Sequence, residues 1–141
     1  MALGQNLSGK SEVDATNKLV IPGAIDGHVH MRTNRPSWVY DETFASGSVA
    51  AAFGGTTTMI DQVQAEYGRT LNEELDTRLA MANDETAIDY TFHMNIREPV
   101  VERLEEIPSI FERGITSFKW FMNLEGWMVP DEYLLRGMFE V

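Results

Sequence analysis

"AIDGHVHMR", residues 24–32, comes directly after the apolar run Leu19-Val20-Ile21 and the turn pair Pro22-Gly23. It holds two of the chain's three histidines, two positions apart. If the stretch is the end of a strand, side chains alternate between faces, so His28 and His30 project to the same side. Val29 then packs the other way, against a helix. Two imidazoles converging from one strand end suit zinc, and other divalent metals less selectively. A bare H-x-H is a weak signal, and the competing reading is a chance polar pair in a turn.

Outward from this stretch the chain alternates between short apolar runs and amphipathic segments. "DETFASGSVAAAF" (41–53) reads as a helix stopped by Gly54-Gly55. "TTTMID" (56–61) is β-branched and apolar, a strand. Thr70-Leu71-Asn72-Glu73 has the form of a capping box, after which Leu71, Leu75, Leu79 and Ala82 recur on one helical face. "AIDYTFH" (87–93) is a third strand. Val100, Leu104, Ile107 and Phe111 follow at helical spacing, with Pro108 expected to kink or restart that helix and Gly114 to close it. "ITSFK" (115–119) is a fourth strand, and Pro130-Asp131-Glu132 opens a last helix carrying Leu134, Leu135 and Met138. Strand–helix units at about 30-residue intervals are the rhythm of a parallel α/β sheet or barrel.

In such architectures chemistry sits at the C-terminal ends of the strands. Those ends carry His28 and His30, then Asp61, then His93, then Lys119. Lys119 is one of three lysines and lies between Phe118 and Trp120-Phe121-Met122, which is no solvated face. A buried ammonium is costly. Either the amine reaches water at the strand ends, or it is held neutral and can react with carbon dioxide to give a carbamate, an oxygen ligand able to bridge two metals.

The chain has 141 residues, fewer than the roughly 250 of a full (β/α)8 barrel. Its net charge of −11 argues against nucleic-acid binding, which requires clustered Lys and Arg. With no cysteine, a metal site must use His, carboxylate or a less usual ligand. No apolar run approaches the length of a membrane span, and the first residues lack a signal-peptide pattern, so a cytoplasmic protein is expected.

Taken in order, "KLVIPGAIDGHVHM", "AAAFGGTTTMID", "AIDYTFHM" and "GITSFKWFM" resemble the cyclic amidohydrolases of the amidohydrolase superfamily, in their dihydropyrimidinase/hydantoinase branch. The resemblance implies an α/β fold, a partial TIM (β/α)8 barrel covering about the first four βα units. Residues 19–141 would be the N-terminal half of that barrel, and residues 1–18 the tail of a small β-sandwich domain or a linker. It implies a binuclear zinc centre in the complete enzyme, with His28 and His30 as metal ligands and Lys119 as the carbamylated bridge. The interval from His30 to Lys119 is 89 residues, against about ninety in the family. It further implies hydrolysis of a small cyclic amide or imide and a homo-oligomeric complete enzyme.

Other positions stay open. Asp61 is expected either to hydrogen-bond a ligand imidazole or to cap the next helix or face solvent. His93 is expected to be structural or to support a ligand, since the resemblance assigns it no metal. Arg32 makes H-x-H-x-R, similar to dihydroorotases, in which that Arg contacts a substrate carboxylate; a surface loop arginine is the slightly favoured reading, and the loop length matches hydantoinases better. Leu124 stands where hydantoinases usually carry a substrate-binding tyrosine, so a hydrogen bond of that kind is lost. No histidine follows His93, so two further ligands and an aspartate are missing from this chain. The expectation is an incomplete and, by itself, inactive piece of such an enzyme. The alternatives are a dihydroorotase- or allantoinase-like hydrolase and a non-catalytic half-barrel module that self-associates.

Overall fold

The computed structural model describes residues 3–5, 7–32 and 42–141, with the backbone alone of 34–35 and 38–39. Described residues up to Gly23 form no helix or strand. The ordered elements begin with strand β1 (Ala24–Asp26), followed by a short antiparallel pair, β2 (Asn34–Arg35) and β3 (Trp38–Val39), that the sequence reading did not anticipate. Then come α1 (Phe44–Phe53), β4 (Thr56–Gln64), α2 (Leu71–Ala82), β5 (Asp89–Asn95), α3 (Val101–Glu105), α4 (Ile107–Glu112), β6 (Phe118–Lys119) and α5 (Asp131–Glu140). Strands β1, β4, β5 and β6 form one parallel sheet in that order, each joined to the next through a helical connection. This is a curled parallel sheet with helices on one side, an α/β half-barrel.

Local chemistry explains most boundaries. Thr43 accepts from the Ser46 amide and Ser46 bonds back to the Thr43 amide, so α1 begins at Phe44; Asp41, where the sequence reading opened this segment, lies outside the described residues. Thr70 and Glu73 make the expected capping box at the head of α2. Gly55 and Gly114 take left-handed φ values of 89° and 86°, the turns that end α1 and α4. Pro108 brings no amide hydrogen and crowds the preceding turn, and the expected kink is a full break between α3 and α4. Strand lengths differ from the sequence reading. β4 runs three residues past Asp61, β5 two past His93, and β6 keeps only Phe118 and Lys119 of the expected five.

The core lies between the sheet and its helices. Met59 and Val63 of β4, with Phe92, Met94 and Ile96 in and after β5, pack against Phe44, Leu71, Leu75, Leu104, Ile107 and Ile110. Val29 and Met31 lean on this cluster from the segment after β1. Gly137 lets α5 approach the sheet, because a Cβ there would stand 2.7 Å from the Trp120 ring. Alternation then fixes the other face. Ile60, Gln62 and Gln64 of β4, Thr91, His93 and Asn95 of β5, and Lys119 of β6 point to the inside of the curl. That inner face is open at its base, where Ile25 is 67% exposed.

Candidate metal centre

The strand that presents the histidine pair is interrupted. β1 leaves the ladder after Asp26, whose carboxylate accepts from the His28 amide, and returns where the Val29 amide donates to the Ile60 carbonyl. With Val29 and Met31 on the core side, His28 and His30 both face inward. Their Nε2 atoms lie 3.1 Å apart, and Lys119 Nζ, brought from the far edge of the sheet, lies 3.4 Å from His28 Nε2. The lysine stem also passes the Phe121 ring, whose centroid is 4.9 Å from Nζ.

Three nitrogen bases thus converge on one point. Two nitrogens each ~2.0–2.1 Å from a zinc ion stand roughly 3.0–3.4 Å apart, so the spacing suits a shared divalent cation. Burial first, then the Lys119 ammonium, pushes His28 below the ordinary imidazole range, while Asp26 pulls it back. The neutral imidazole, which has a lone pair to give, is the favoured form. Among the described residues no cluster of three His, Cys, Asp or Glu side chains surrounds this point. The donors present are the two imidazoles and the lysine.

The remaining candidates separate. His93 faces inward, but both ring nitrogens are engaged: Nε2 lies 2.9 Å from the Gly27 carbonyl, and Nδ1 lies 2.5 Å from Ser117 Oγ. A carbonyl only accepts, so Nε2–H donates to Gly27 and Nδ1 accepts the serine hydroxyl. His93 therefore braces the residue just before His28. Asp61 points the other way, into the helix side. It touches no imidazole, Thr70 caps α2 in its place, and the side chain is fully buried, so neither sequence expectation describes it. Its Oδ1 accepts from the Met31 amide at 3.0 Å and its Oδ2 from Arg78 Nε at 2.7 Å, while Arg78 Nη2 also donates to the Met31 carbonyl. Burial raises the Asp61 carboxyl above its usual value, against the pull of Arg78. This pair clamps the backbone next to His30 from behind.

Arg32 is exposed, has a positive φ of 45°, and pairs at 3.6 Å with Glu85 beyond the end of α2. Leu124 lies in the turn after Phe121, where its carbonyl accepts from the Trp127 and Met128 amides. Neither has a described contact with the histidine pair. The sequence reading missed the carboxamides. Gln64 Nε2 lies 3.4 Å from His30 Nδ1, and Gln62 and Asn95 are buried with none of their side-chain polar atoms hydrogen-bonded. The signal was the i, i+2 pattern of "DQVQ", visible only once β4 is carried past Asp61.

No protein-family model matches the sequence. A D-hydantoinase from Geobacillus stearothermophilus is 44% identical over 133 residues, which is 92% of this chain and 28% of that protein. A protein named dihydropyrimidinase 2 from Caenorhabditis elegans is 37% identical over 139 residues, 96% of this chain and 27% of its own length. The crystal structure of a D-hydantoinase from Bacillus sp. AR9 superposes with a TM-score of 0.91 at 37% identity, covering 99% of this chain and 31% of that one. The chain thus spans under a third of the length of the relatives it matches. In sequence and in fold the chain is similar to one part of the proteins named D-hydantoinase and dihydropyrimidinase.

Proposed function

We propose that this chain supplies one wall of a metal-dependent site that hydrolyses the ring C–N bond of a cyclic amide or imide of the hydantoin or dihydropyrimidine type. In this reading His28 and His30 hold a divalent cation, zinc by donor type. Lys119, as its carbamate, adds an oxygen ligand from the opposite edge of the sheet. Carbamate formation joins the neutral amine to carbon dioxide and releases one proton. The observation that carries the reading is the convergence of His28, His30 and Lys119, from the two outer strands of the sheet, at 3.1 and 3.4 Å. Bound metal would polarise the ring carbonyl and lower the pKa of water. The chain's own residues bind, orient and shield: His93 and Asp61 fix the backbone on either side of the histidines, and Phe121 and Trp127, packed edge to face at 5.2 Å, wall the strand ends.

We place residues 19–141 as the first half of the barrel of such an enzyme and residues 1–18 as the tail of a preceding β domain or a linker. The complete enzyme is proposed to be a homo-oligomer. No helix among the described residues is long and apolar enough to cross a membrane. The placement of Arg32 beside Glu85 gives the dihydroorotase-like reading no support.

A hybrid tests the proposal: residues 19–141 replace the matching segment of a D-hydantoinase, and hydrolysis of hydantoin and dihydrouracil is followed with and without zinc. Zinc-dependent turnover that His30→Ala and Lys119→Ala each abolish is expected. A folded hybrid that binds zinc and hydrolyses neither ring would overturn the reading.

A further inference from the structure

The Arg97 guanidinium, two residues past the end of β5, touches both the loop after β4 and the loop after β6. Its Cζ stands 3.7 Å from the centroid of the Trp127 ring and 4.7 Å from that of Tyr67. At its edge Nη1 donates to Glu66 Oε2 and Nη2 to the Gly126 carbonyl, each at 3.4 Å. Tyr67, Arg97 and Trp127 come one from each successive strand end, at 30-residue intervals. The arginine side chain is 17% exposed, and its Nε is buried with no hydrogen-bond partner among the described residues. This is no solvated rim charge. A guanidinium is planar and weakly hydrated, so it can stack on rings while donating at its edge, which a compact ammonium cannot do.

The contacts continue on both sides of Arg97. Trp127 meets Phe121 edge to face at 5.2 Å, and the Phe121 ring lies 4.9 Å from Lys119 Nζ. Next to Arg97, Glu98 Oε2 accepts from the Gly68 amide and from Arg103 Nε, which fixes the loop after β4 to the end of β5 a second time. A row of alternating charges and rings, from Lys119 through Phe121, Trp127 and Arg97 to Tyr67, thus crosses the ends of three strands. The loop after β6 has no regular ladder, and its two ends meet at an isolated bridge between Phe121 and Met128. Where its rings stand therefore depends on what they pack against.

We propose that Arg97 is a positioning residue of this site: its guanidinium holds Trp127, and through it Phe121, in place beside Lys119, and makes the loops after β4 and β6 respond to one another. The inference rests on the reading of this end of the sheet as a hydrolytic site, and the experiment separates the two.

The full chain is labelled with fluorotryptophan, and Trp127→Phe identifies the Trp127 resonance among those of the three tryptophans. Tyr67→Leu, at a ring that is 52% exposed, shifts that resonance in the parent protein. Arg97→Lys moves it by itself, and adding Tyr67→Leu then moves it no further. In the hybrid enzyme Arg97→Lys raises KM for hydantoin by roughly 2- to 30-fold, the range of one cation–π contact, with kcat held within about twofold. A Trp127 resonance indifferent to Tyr67→Leu, or equally sensitive to it with and without Arg97→Lys, would overturn the coupling. Coupled resonances with KM and kcat both unchanged would overturn the role of Arg97 in the site and leave the hydrolytic reading standing. A hybrid that hydrolyses neither ring before any substitution would overturn the hydrolytic reading, and the positioning role with it. If Arg97→Lys does not fold, Tyr67→Leu and Glu66→Ala decide: a Trp127 resonance that neither moves refutes the coupling.

Discussion

Asp61 and Gln62 are neighbours on β4, both buried, and alternation sends them to opposite faces of the sheet. On the helix side the Asp61 carboxylate is bonded to Arg78 and to the Met31 amide, and the Arg78 guanidinium stacks 4.8 Å from the Phe44 ring centroid. On the inner side the Gln62 amide has no hydrogen-bond partner among the described residues, and neither has that of Asn95. Buried polar groups in folded proteins are normally satisfied. The buried Asp61 carboxylate obeys that rule, whereas among the described residues the carboxamides of Gln62 and Asn95 on the inner side, and the Trp120 indole N–H packed near Gly137, do not. The inner face thus carries two whole carboxamides, those of Gln62 and Asn95, that are not hydrogen-bonded among the described residues, beside His93, which is.

The contrast is broken most severely from the helix side. Asp61→Ala leaves the Arg78 guanidinium buried and unpaired and removes the acceptor of the Met31 amide. A loss of about 3–5 kcal/mol is expected in urea unfolding. The inner face should answer with the opposite sign. In the metal-free protein, Gln62→Leu replaces an unsatisfied amide by an apolar group of similar length, and stability should hold or rise by up to about 1–3 kcal/mol. A loss comparable with that of Asp61→Ala would show that Gln62 is bonded after all.

A third test sharpens the helix side alone. Tyr133 donates to the Glu98 and Val100 carbonyls, and burial pushes its phenol from 10.0 up to about 12. The folded value lies above the unfolded one. Its stabilising share is therefore fully present below pH 10 and drains away as pH climbs toward 12. In a spectrophotometric titration one of the four tyrosines should ionise late, and Tyr133→Phe should remove that late step. The smallest effect belongs to the rim. Arg32→Ala severs one exposed pair and should change stability by no more than about 0.5 kcal/mol, with zinc affinity unaltered.

Which parts of this were legible in the sequence follows from the same division. Helix starts are written in a few adjacent residues, so the Thr70–Glu73 box and the Gly55 and Gly114 turns could be read directly. The inward direction of His28 and His30 was readable too, because it needs only Val29 to be apolar. Asp61 was misjudged because alternation has no origin until the strand's length is known. Ending β4 at Asp61 made it look like a strand-end acid; extending β4 to Gln64 turns it toward Arg78, 17 residues on, a partner that no local pattern names. The two-residue β6 is short for a related reason, since its ladder depends on Met94 and Asn95 of another strand.

His28 and His30 meet through three consecutive residues, but Lys119 reaches them across a sequence separation of 91. Closing a loop of that length is slow and entropically costly, whereas each strand of the parallel sheet pairs with the preceding strand of that sheet. The sheet can therefore grow from β1 toward β6 by short steps, and the contact between its two outer edges becomes available only when the last of them is in place. During synthesis the histidine pair emerges early and waits for its third nitrogen. Proximity of Lys119 to His28 is then a marker that all four strands of this sheet are in place, and a cation that needs all three nitrogens would bind only after that point.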